Sequence, residues 1–412
     1  MKINLDNYLK LIPNDFSISD EHKLKAVEQL ADIILSDYPE ISLLKSFESK
    51  LLSSNGAPLP LNLAIKLSIS KAIVRQINKP LNVSVTFAMY KENNRILPAS
   101  EHPNGENLLM VKLHQLDWLF CENRNIKWEL IAVDDGCPED SGKIAQEILR
   151  KNKATEKAEV LFLADAIKKH LPIAENLNSP NDSQKGGSIA YGMWHAAQNS
   201  SDQEHIIVYT DADLSTHLGQ TGLLLQPLLS ENKQVAIGSR RETNSIAIKK
   251  GIRNTRGKLF IYLWKRLLPE LNYLVDTQCG FKAFKHETLI EIIDDLIESK
   301  FAIDIELLLR AELLKQKKIA KVGIAWIDSE AESTTTDIQP YLQMLKSISK
   351  MYRKYSGKHQ ESESFSDFID SLSNEQWDKL VEKIPDGIAN REPFEFDSYK
   401  NVTVIDFKDI LS

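Results

Sequence analysis

Residues 205–215 read HIIVYTDADLS, an apolar run that ends in two carboxylates one residue apart. Short runs rich in Val and Ile, bounded by polar residues, are typical of buried β-strands. Similar runs recur between residues 82 and 328: NVSVTFAM, WELIAVDD, EVLFLAD, VAIGS and AKVGIAWID. Segments with helical periodicity separate them. This alternation predicts an α/β fold with a mainly parallel, Rossmann-like sheet, in which ligands bind at the carboxyl ends of the strands.

The two ends of the chain have a different pattern. Residues 1–80 are predicted to be helical, because their apolar residues recur three and four positions apart. Residues 336–412 are predicted to form a helical extension, in which NVTVIDF at 401–407 would be a strand that returns to a sheet edge. The predicted α/β domain therefore spans residues 81–335.

Composition excludes several classes of protein. The 412 residues carry a net charge of −7, so no general attraction to nucleic acid or anionic lipid is expected. Cys121, Cys137 and Cys279 form no CxxC pair and are expected to be buried thiols in a reducing compartment. No apolar signal region or spanning segment occurs, which predicts a cytoplasmic protein. The apolar segment 257–268 is expected to be a covered core helix, with a helix on a membrane surface as the alternative.

The carboxylates Asp211 and Asp213 are the first candidate site. Both can turn toward one hard cation at the end of a strand, and Mg²⁺ or Mn²⁺ would take their oxygens together with water and a diphosphate. The alternative is an acidic turn that caps a helix at Leu214. His217, four residues after Asp213, could reach such a metal, but an exposed histidine without that role is favoured.

Two further segments end strands or begin helices. Asp134 and Asp135 follow WELIAV, and their carboxylates could accept hydrogen bonds from a base or ribose, with a tight turn at Gly136. A turn with a helix cap is the alternative. The sequence Lys185-Gly-Gly-Ser precedes a helix, where backbone N–H groups and the lysine could approach phosphate. It lacks the P-loop spacing, and a flexible helix start is the alternative.

Taken in order, these motifs resemble family 2-type glycosyltransferases of the GT-A fold, closest to the dolichyl-phosphate glucosyltransferase and polyprenyl-phosphate mannosyltransferase branch. The resemblance covers residues 82–328 and is carried by VDDGCPEDS, KGGSIAYGM, TDADLS, GSRRE, DTQCGFKAF and FAIDIELL. DTQCGFKAF, residues 276–284, is the sharpest of these. The family's first strand usually ends in Pro-Ala-Tyr-Asn-Glu, whereas this chain has Ala-Met-Tyr-Lys-Glu at 88–92.

The resemblance implies roles for individual residues. Donor binding would involve Tyr90, Glu92, Asp134, Asp135, Lys185, Asp211 and Arg240. Asp211 and Asp213 would hold Mn²⁺ or Mg²⁺. The sugar and acceptor would lie near Asp276, Gln278 and Gly280, with Asp304 and Glu306 close behind.

These expectations describe a hexosyltransferase that takes sugar from a UDP- or GDP-sugar and inverts the anomeric centre. The acceptor could be a sugar, a protein or a lipid-linked group, and no nucleic acid is expected. A hydroxyl acceptor, soluble or peripheral to a membrane, is favoured here because the membrane anchors of part of that branch are missing. Such an acceptor needs a general base, for which Asp304 is the first candidate and Asp276 the second. The alternatives are a polyprenyl-phosphate acceptor, a catalytically silent scaffold and a nucleotidyltransferase.

Overall fold

The chain's central sheet has seven strands in the order β3-β2-β1-β4-β7-β5-β8. The structure is a computed structural model that describes residues 5–53, 57–199, 203–248, 254–328, 340–357 and 359–412. The strands are β1 Leu81–Met89, β2 Ile126–Asp134, β3 Ala158–Phe162, β4 Glu204–Thr210, β5 Val235–Ser239, β6 Ile246–Ile248, β7 Phe281–Lys285, β8 Ile319–Gly323 and β9 Ala325–Ile327. Strands β6 and β9 pair in parallel as a separate small sheet. The predicted α/β fold is confirmed.

One strand of the main sheet runs against the others. β7 is antiparallel to both of its neighbours, β4 and β5, with Phe281 opposite Thr210. The beginning of β7 therefore lies at the same sheet edge as the ends of β4 and β5. This places residues 276–280 beside the carboxylates that follow β4, although no strand was predicted within 276–284.

Helices cover the sheet and form both flanks. Those that precede the sheet are α1 Leu5–Leu9, α2 Glu21–Asp37, α3 Ile41–Ser53 and α4 Leu59–Arg75. Those within the α/β unit are α5 Asn93–Ile96, α6 Leu108–Phe120, α7 Ser141–Lys151, α8 Leu163–Lys168, α9 Gly186–Gln198, α10 Thr221–Ser230, α11 Asn254–Leu267, α12 His286–Ile292 and α13 Ile303–Leu314. The C-terminal helices are α14 Tyr341–Tyr355, α15 Gln360–Ser371, α16 Asn374–Glu382, α17 Asp386–Ala389 and α18 Val404–Leu411. Short 3₁₀ turns occur at Pro172–Ala174, Pro180–Asp182, Leu218–Gln220, Pro269–Leu271 and Pro393–Asp397.

The N-terminal helices are anchored to the sheet by a buried lysine. Lys66 on α4 is 1% exposed, and its ammonium group lies 2.7 Å from a carboxylate oxygen of Glu48 on α3. The same nitrogen donates a 2.7 Å hydrogen bond to the carbonyl of Gly323 at the end of β8. A buried charge is tolerated only with such partners. Helices α1 to α4 lie within residues 1–80, the region for which the sequence predicted helices.

The C-terminal helices cover α11. The hydroxyl of Tyr262 on α11 donates to the carbonyl of Val402 at 2.7 Å, and α14 and α15 pack against the same helix. The prediction of a covered core helix at 257–268 is confirmed for the described residues. Along the described ranges, no helix has the length and apolarity that a bilayer crossing requires.

The predicted strand at 401–407 is wrong. Residues from Val404 onward form α18, because Thr403 and Asp406 make a capping box: the Thr403 amide and hydroxyl both donate to Asp406 at 2.7 Å. Phe407 then packs against the ring of Phe368, with 5.7 Å between ring centroids. The predicted domain boundary at 335 lies outside the described residues.

Candidate active site

Five loops meet at one edge of the sheet, where the predicted site residues were expected. β1 leads into Tyr90 and Glu92, β2 into Asp135, β4 into Asp211 and Asp213, and β5 into Arg240, while residues 276–280 lead into β7. Because the sheet is parallel except for β7, these segments share the carboxyl edge at which α/β proteins bind ligands. The fold thus brings these residues to one side of the molecule.

Asp211 lies in a close-fitting position at the centre of this edge. Its amide donates a 3.0 Å hydrogen bond to the carbonyl of Gly280, and the ammonium group of Lys185 binds its carboxylate. A Cβ atom on Gly280 would lie 2.2 Å from Asp211 Oδ1, so only glycine leaves room for this carboxylate. The packing of Asp211 therefore requires glycine at position 280.

Two lysines compensate the charge of this carboxylate pair. Burial would raise the pKa of Asp211, but the Lys185 ammonium outweighs it and lowers the pKa. Burial, followed by the charge of Asp211, raises the pKa of Asp213. Lys112 on α6 donates to the backbone carbonyls of Asp211 and Asp213 at 3.0 and 2.8 Å, and burial lowers its pKa to about 8. Lys112 was not predicted, because it looks like a polar residue of an apolar helix.

The two carboxylates after β2 hold loops together. Asp134 accepts hydrogen bonds from three backbone amides: those of Gly136 and Cys137 at 3.0 Å and that of Gly142 at 2.8 Å. Asp135 accepts from the amide of Lys185 at 2.8 Å and from the hydroxyl of Ser188 at 2.7 Å. Asp134 therefore closes its own turn, whereas Asp135 positions the start of α9 and, with it, Lys185.

The glycines that follow Lys185 serve the packing of the backbone. A Cβ on Gly186 would lie 2.4 Å from the carbonyl oxygen of Lys300, and the amide of Gly187 donates to the carbonyl of Ser299 at 2.8 Å. The amide of Gly187 thus already has a protein acceptor, and the expectation that it binds phosphate is not supported. Lys185 itself has a φ of 78°, in the left-handed region that side chains rarely adopt.

Of the two predicted residues after β1, one is exposed and the other is buried. Tyr90 is 43% exposed at the sheet edge. Glu92 is 4% exposed and makes a two-bond ion pair with Arg95, at 2.6 and 2.7 Å. Burial raises the pKa of Glu92 although Arg95 opposes that effect. Glu92 therefore holds Arg95, a cation that the sequence analysis did not single out and that lies close enough to Asp213 to affect its pKa.

Arg240 and Asp276 form a second tight pair. The backbone amide and Nε of Arg240 both donate to Asp276 Oδ2 at 2.8 Å, and Nη2 donates to Oδ1 at 2.7 Å. Burial alone would raise the pKa of Asp276, but the guanidinium holds it well below its usual range. A carboxylate with so low a pKa is a weak general base, which argues against Asp276 as a proton acceptor.

Asp304 is paired with a lysine that sequence reasoning missed. Its carboxylate accepts from Lys282 on β7, which also donates to the hydroxyl of Tyr209 at 2.9 Å and to the carbonyl of Cys279 at 2.6 Å. Burial disfavours both charges, raising the pKa of Asp304 to about 7 and lowering that of Lys282 to about 7. Asp304 is 3% exposed. A lysine inside the apolar run FKAF is the one sequence signal of this pair.

Other predicted residues lie elsewhere or play structural roles. Glu306 accepts from the amides of residues 297 and 298 at 2.8 Å and from Tyr355 at 2.6 Å, so it anchors α14 rather than the sugar site. His217 is 3% exposed beside Glu28 and not at the surface as expected. Gln278 lies at the sheet edge, in the segment that leads into β7. Its buried side-chain nitrogen has no hydrogen-bond partner within the described structure.

The cysteines differ from the expectation of uniform burial. Cys279 is buried, and burial raises the pKa of its thiol to about 12. Cys137 is half-buried, and Cys121 is exposed. All three are free thiols.

Proteins with similar sequences include several dolichyl-phosphate beta-glucosyltransferases. No family model matches the chain. A dolichyl-phosphate beta-glucosyltransferase of Drosophila melanogaster is 27% identical over 283 residues, which are 67% of this chain and 76% of that protein. One from Trichomonas vaginalis is 25% identical over 63% of this chain and 73% of its own. The mouse enzyme of that name is 30% identical over 54% of this chain and 62% of its own.

These similarities show a nucleotide-sugar glycosyltransferase, as predicted, and support the predicted resemblance to family 2-type enzymes of the GT-A fold. Among solved structures, glucosyl-3-phosphoglycerate synthase from Mycobacterium tuberculosis, in complex with Mn²⁺, UDP and glucosyl-3-phosphoglycerate, superposes with a TM-score of 0.44 at 18% identity, over 72% of this chain and 85% of that one.

Asp211 and Asp213 offer the carboxylate oxygens that a divalent cation would require. Asp211 and Asp213 supply oxygen donors at one strand end, and Gly280 leaves the space that Asp211 occupies. The described residues contain no group of three or more His, Cys, Asp and Glu that could hold a metal. Two carboxylates would thus leave the remaining positions of Mg²⁺ or Mn²⁺ to water and a diphosphate, an arrangement that suits Mg²⁺ in particular.

Proposed function

We propose that this glycosyltransferase moves glucose from a UDP- or GDP-sugar to the phosphate group of a polyprenyl carrier, with inversion at the anomeric carbon. The curated relatives support the sugar and the acceptor, since several are named dolichyl-phosphate beta-glucosyltransferases. The charges around the sheet edge support the same choice independently. Direct displacement by the acceptor would invert the anomeric centre.

Fixed charges would bind the sugar nucleotide and stabilise its leaving group. Asp211 and Asp213 would hold Mg²⁺ or Mn²⁺, which when bound neutralises charge on the departing nucleoside diphosphate. Lys185 already binds Asp211 and would meet the phosphates of the donor at the same place. Asp135 accepts a hydrogen bond from the backbone amide of Lys185 and so keeps Lys185 in position. Preorganised charges of this kind need no rearrangement as the transition state forms.

The observation that carries the choice of acceptor is that both candidate general bases are already paired. Asp276 is bound by Arg240 through three hydrogen bonds, and Asp304 is buried against Lys282. A hydroxyl acceptor must lose a proton as the new bond forms, whereas a phosphate acceptor is already ionised and needs no base. An anionic nucleophile therefore suits this site, because neither carboxylate is free to take a proton.

The test compares two acceptors that differ only in the phosphate. Wild-type protein is supplied with Mn²⁺, labelled UDP-glucose or GDP-glucose, and either dolichyl phosphate or dolichol in the same detergent. We expect transfer of label into the organic phase with dolichyl phosphate alone, and loss of that transfer in Asp213→Asn. Faster transfer to dolichol, or no dependence on either lipid, would contradict the proposal.

A second candidate function is transfer to a hydroxyl group. It is favoured by one observation: burial raises the pKa of Asp304 to about 7, the range in which a carboxylate is an effective general base near neutral pH. In that case Asp304→Asn would slow transfer at least about 100-fold with little change in donor affinity. If the acceptor is a phosphate, Asp304→Asn should slow transfer only to the extent that it also lowers the stability of the fold.

A further inference from the structure

A cavity of about 300 Å³ lies at the junction of α11 with the C-terminal extension. The last turn of α11, the first turn of α15 and the loop before α18 surround it. Its lining residues are Lys265, Arg266, Pro269, His359, Gln360, Glu361, Ser362 and Lys400. None of them belongs to the sheet edge described above, and the volume is at the lower end of sites for small molecules.

Arg266 is the least satisfied of the charged groups around this cavity. The residue is 2% exposed, and its Nη2 donates to the carbonyl of Phe396 at 2.7 Å. Nε and Nη1 have no hydrogen-bond partner in the part of the chain that the structure describes. The guanidinium also lies over the ring of Tyr262, 5.2 Å from its centroid. A buried guanidinium with two unmet donors is costly unless an anion accepts from them.

A second feature at the cavity also favours an anion. α15 is 12 residues long, and its N-cap residue, His359, makes no side-chain capping hydrogen bond. The first turn of a helix carries amides without intrahelical acceptors and the positive end of the helix dipole. Gln360, Glu361 and Ser362 of that turn line the cavity. The helix terminus and Arg266 thus converge on one space.

Three cations, Lys265, Arg266 and Lys400, line the cavity together with one carboxylate, Glu361. Outside the lining, Glu270 lies 3.9 Å from His359. The ammonium group of Lys265 is bound by Asp397, whereas Lys400 lies 3.6 Å from one oxygen of Glu361. The other oxygen of Glu361 is 3.8 Å from Nη1 of Arg266, beyond hydrogen-bond length, and this side chain is 46% exposed. Glu361 therefore neutralises Arg266 only in part and cannot serve both Nε and Nη1 as placed.

We propose that this cavity binds the phosphate group of a small phosphorylated molecule and thereby fixes the C-terminal extension on α11. The phosphate oxygens would accept from Nε and Nη1 of Arg266, from the first amides of α15 and from Lys400. A tetrahedral anion can meet donors that approach from several directions, and Arg is suited to phosphate. The remaining volume would accommodate the group that carries the phosphate.

The experiment measures melting temperature and heat of binding for the full chain with inorganic phosphate and with glycerol 3-phosphate. Sodium chloride of equal ionic strength is the reference, and no nucleotide sugar is present. A ligand that binds the native state raises its melting temperature, so we expect a saturable rise with either phosphate. Lys400→Met should weaken phosphate binding about tenfold, since one charge-assisted contact is lost. Lys350→Met, which removes an exposed lysine of α14, is the matched control and should change nothing.

Glu361→Gln separates the proposal from a simple ion pair. If the cavity takes phosphate, removing the negative charge of Glu361 should tighten phosphate binding. If Glu361 is instead the native counterion of Arg266, the variant should melt at a lower temperature in chloride and should gain no affinity for phosphate. The latter result, or an equal response of the wild type to phosphate and chloride, overturns the proposal. Neither result bears on the glucosyl transfer proposed above.

Discussion

Replacing Gly280 by alanine should disable the site without unfolding the protein. The new Cβ would lie 2.2 Å from Asp211 Oδ1 and 2.3 Å from its Cγ and Oδ2. Cβ atoms essentially never approach such neighbours closer than 3.0 Å, so the carboxylate must move by about 0.8 Å. A misplacement of roughly 1 Å at a catalytic group can cost about 100-fold in rate. We therefore expect kcat/KM for glucosyl transfer to fall about 100-fold or more.

The assay follows label transfer from the sugar nucleotide, together with Mn²⁺-dependent binding of UDP by calorimetry. Gly257→Ala on α11 is the control, because a Cβ there has no neighbour closer than 4.0 Å and alanine favours a helix by roughly 1 kcal/mol. The control should keep full activity and melt at the same or a higher temperature. If Gly280→Ala binds UDP and transfers glucose as the wild type does, Asp211 is not confined as described and the reasoning fails.

Two predictions concern buried charges. Lys282→Met should lower the free energy of unfolding by about 3–5 kcal/mol, because Asp304 loses its buried partner. The double variant with Asp304→Asn should lose less stability than the sum of the two single variants. Strict additivity of these losses in urea unfolding would contradict the pairing. His205 has a pKa that burial and the neighbouring His286 lower to about 4, so the neutral ring is favoured in the fold. With respect to this group, the fold is most stable above the ordinary histidine pKa of about 6.5. As the pH falls toward 4, that stability is lost, and the free energy of unfolding drops by about 2 kcal/mol between about pH 7 and about pH 5. His205→Gln should reduce that loss, and an unchanged pH dependence of unfolding would count against it.

The periodicity of the sequence predicted the strands and the edge where the site lies, because both depend on local patterns. Asp211, Asp213 and Arg240 follow strands whose ends must meet in a parallel sheet. β7 was missed because Lys282 interrupts its apolar pattern and because Gly280 looks like a turn. Only the antiparallel pairing of β7 with β4 explains why residues so far apart in sequence touch.

The roles of individual acidic residues could not be predicted in the same way. Asp134 and Asp135 are adjacent in sequence, yet one binds its own turn and the other binds the start of α9. Asp304 and Glu306 share a helix, yet one meets Lys282 and the other meets Tyr355. Which partner each carboxylate finds depends on how distant segments pack, and no local pattern records that.

Binding of Mn²⁺ in the presence of UDP, measured by electron paramagnetic resonance for the wild type and for Asp213→Asn, tests the central claim most directly. The claim is that Asp211 and Asp213 form the donor site at the sheet edge. It predicts that UDP makes the wild type bind one Mn²⁺ per chain and that the Asp213→Asn variant, with its fold confirmed by circular dichroism, does not bind it. Equal Mn²⁺ binding by the two proteins, or UDP binding unaffected by Mn²⁺, would contradict the claim.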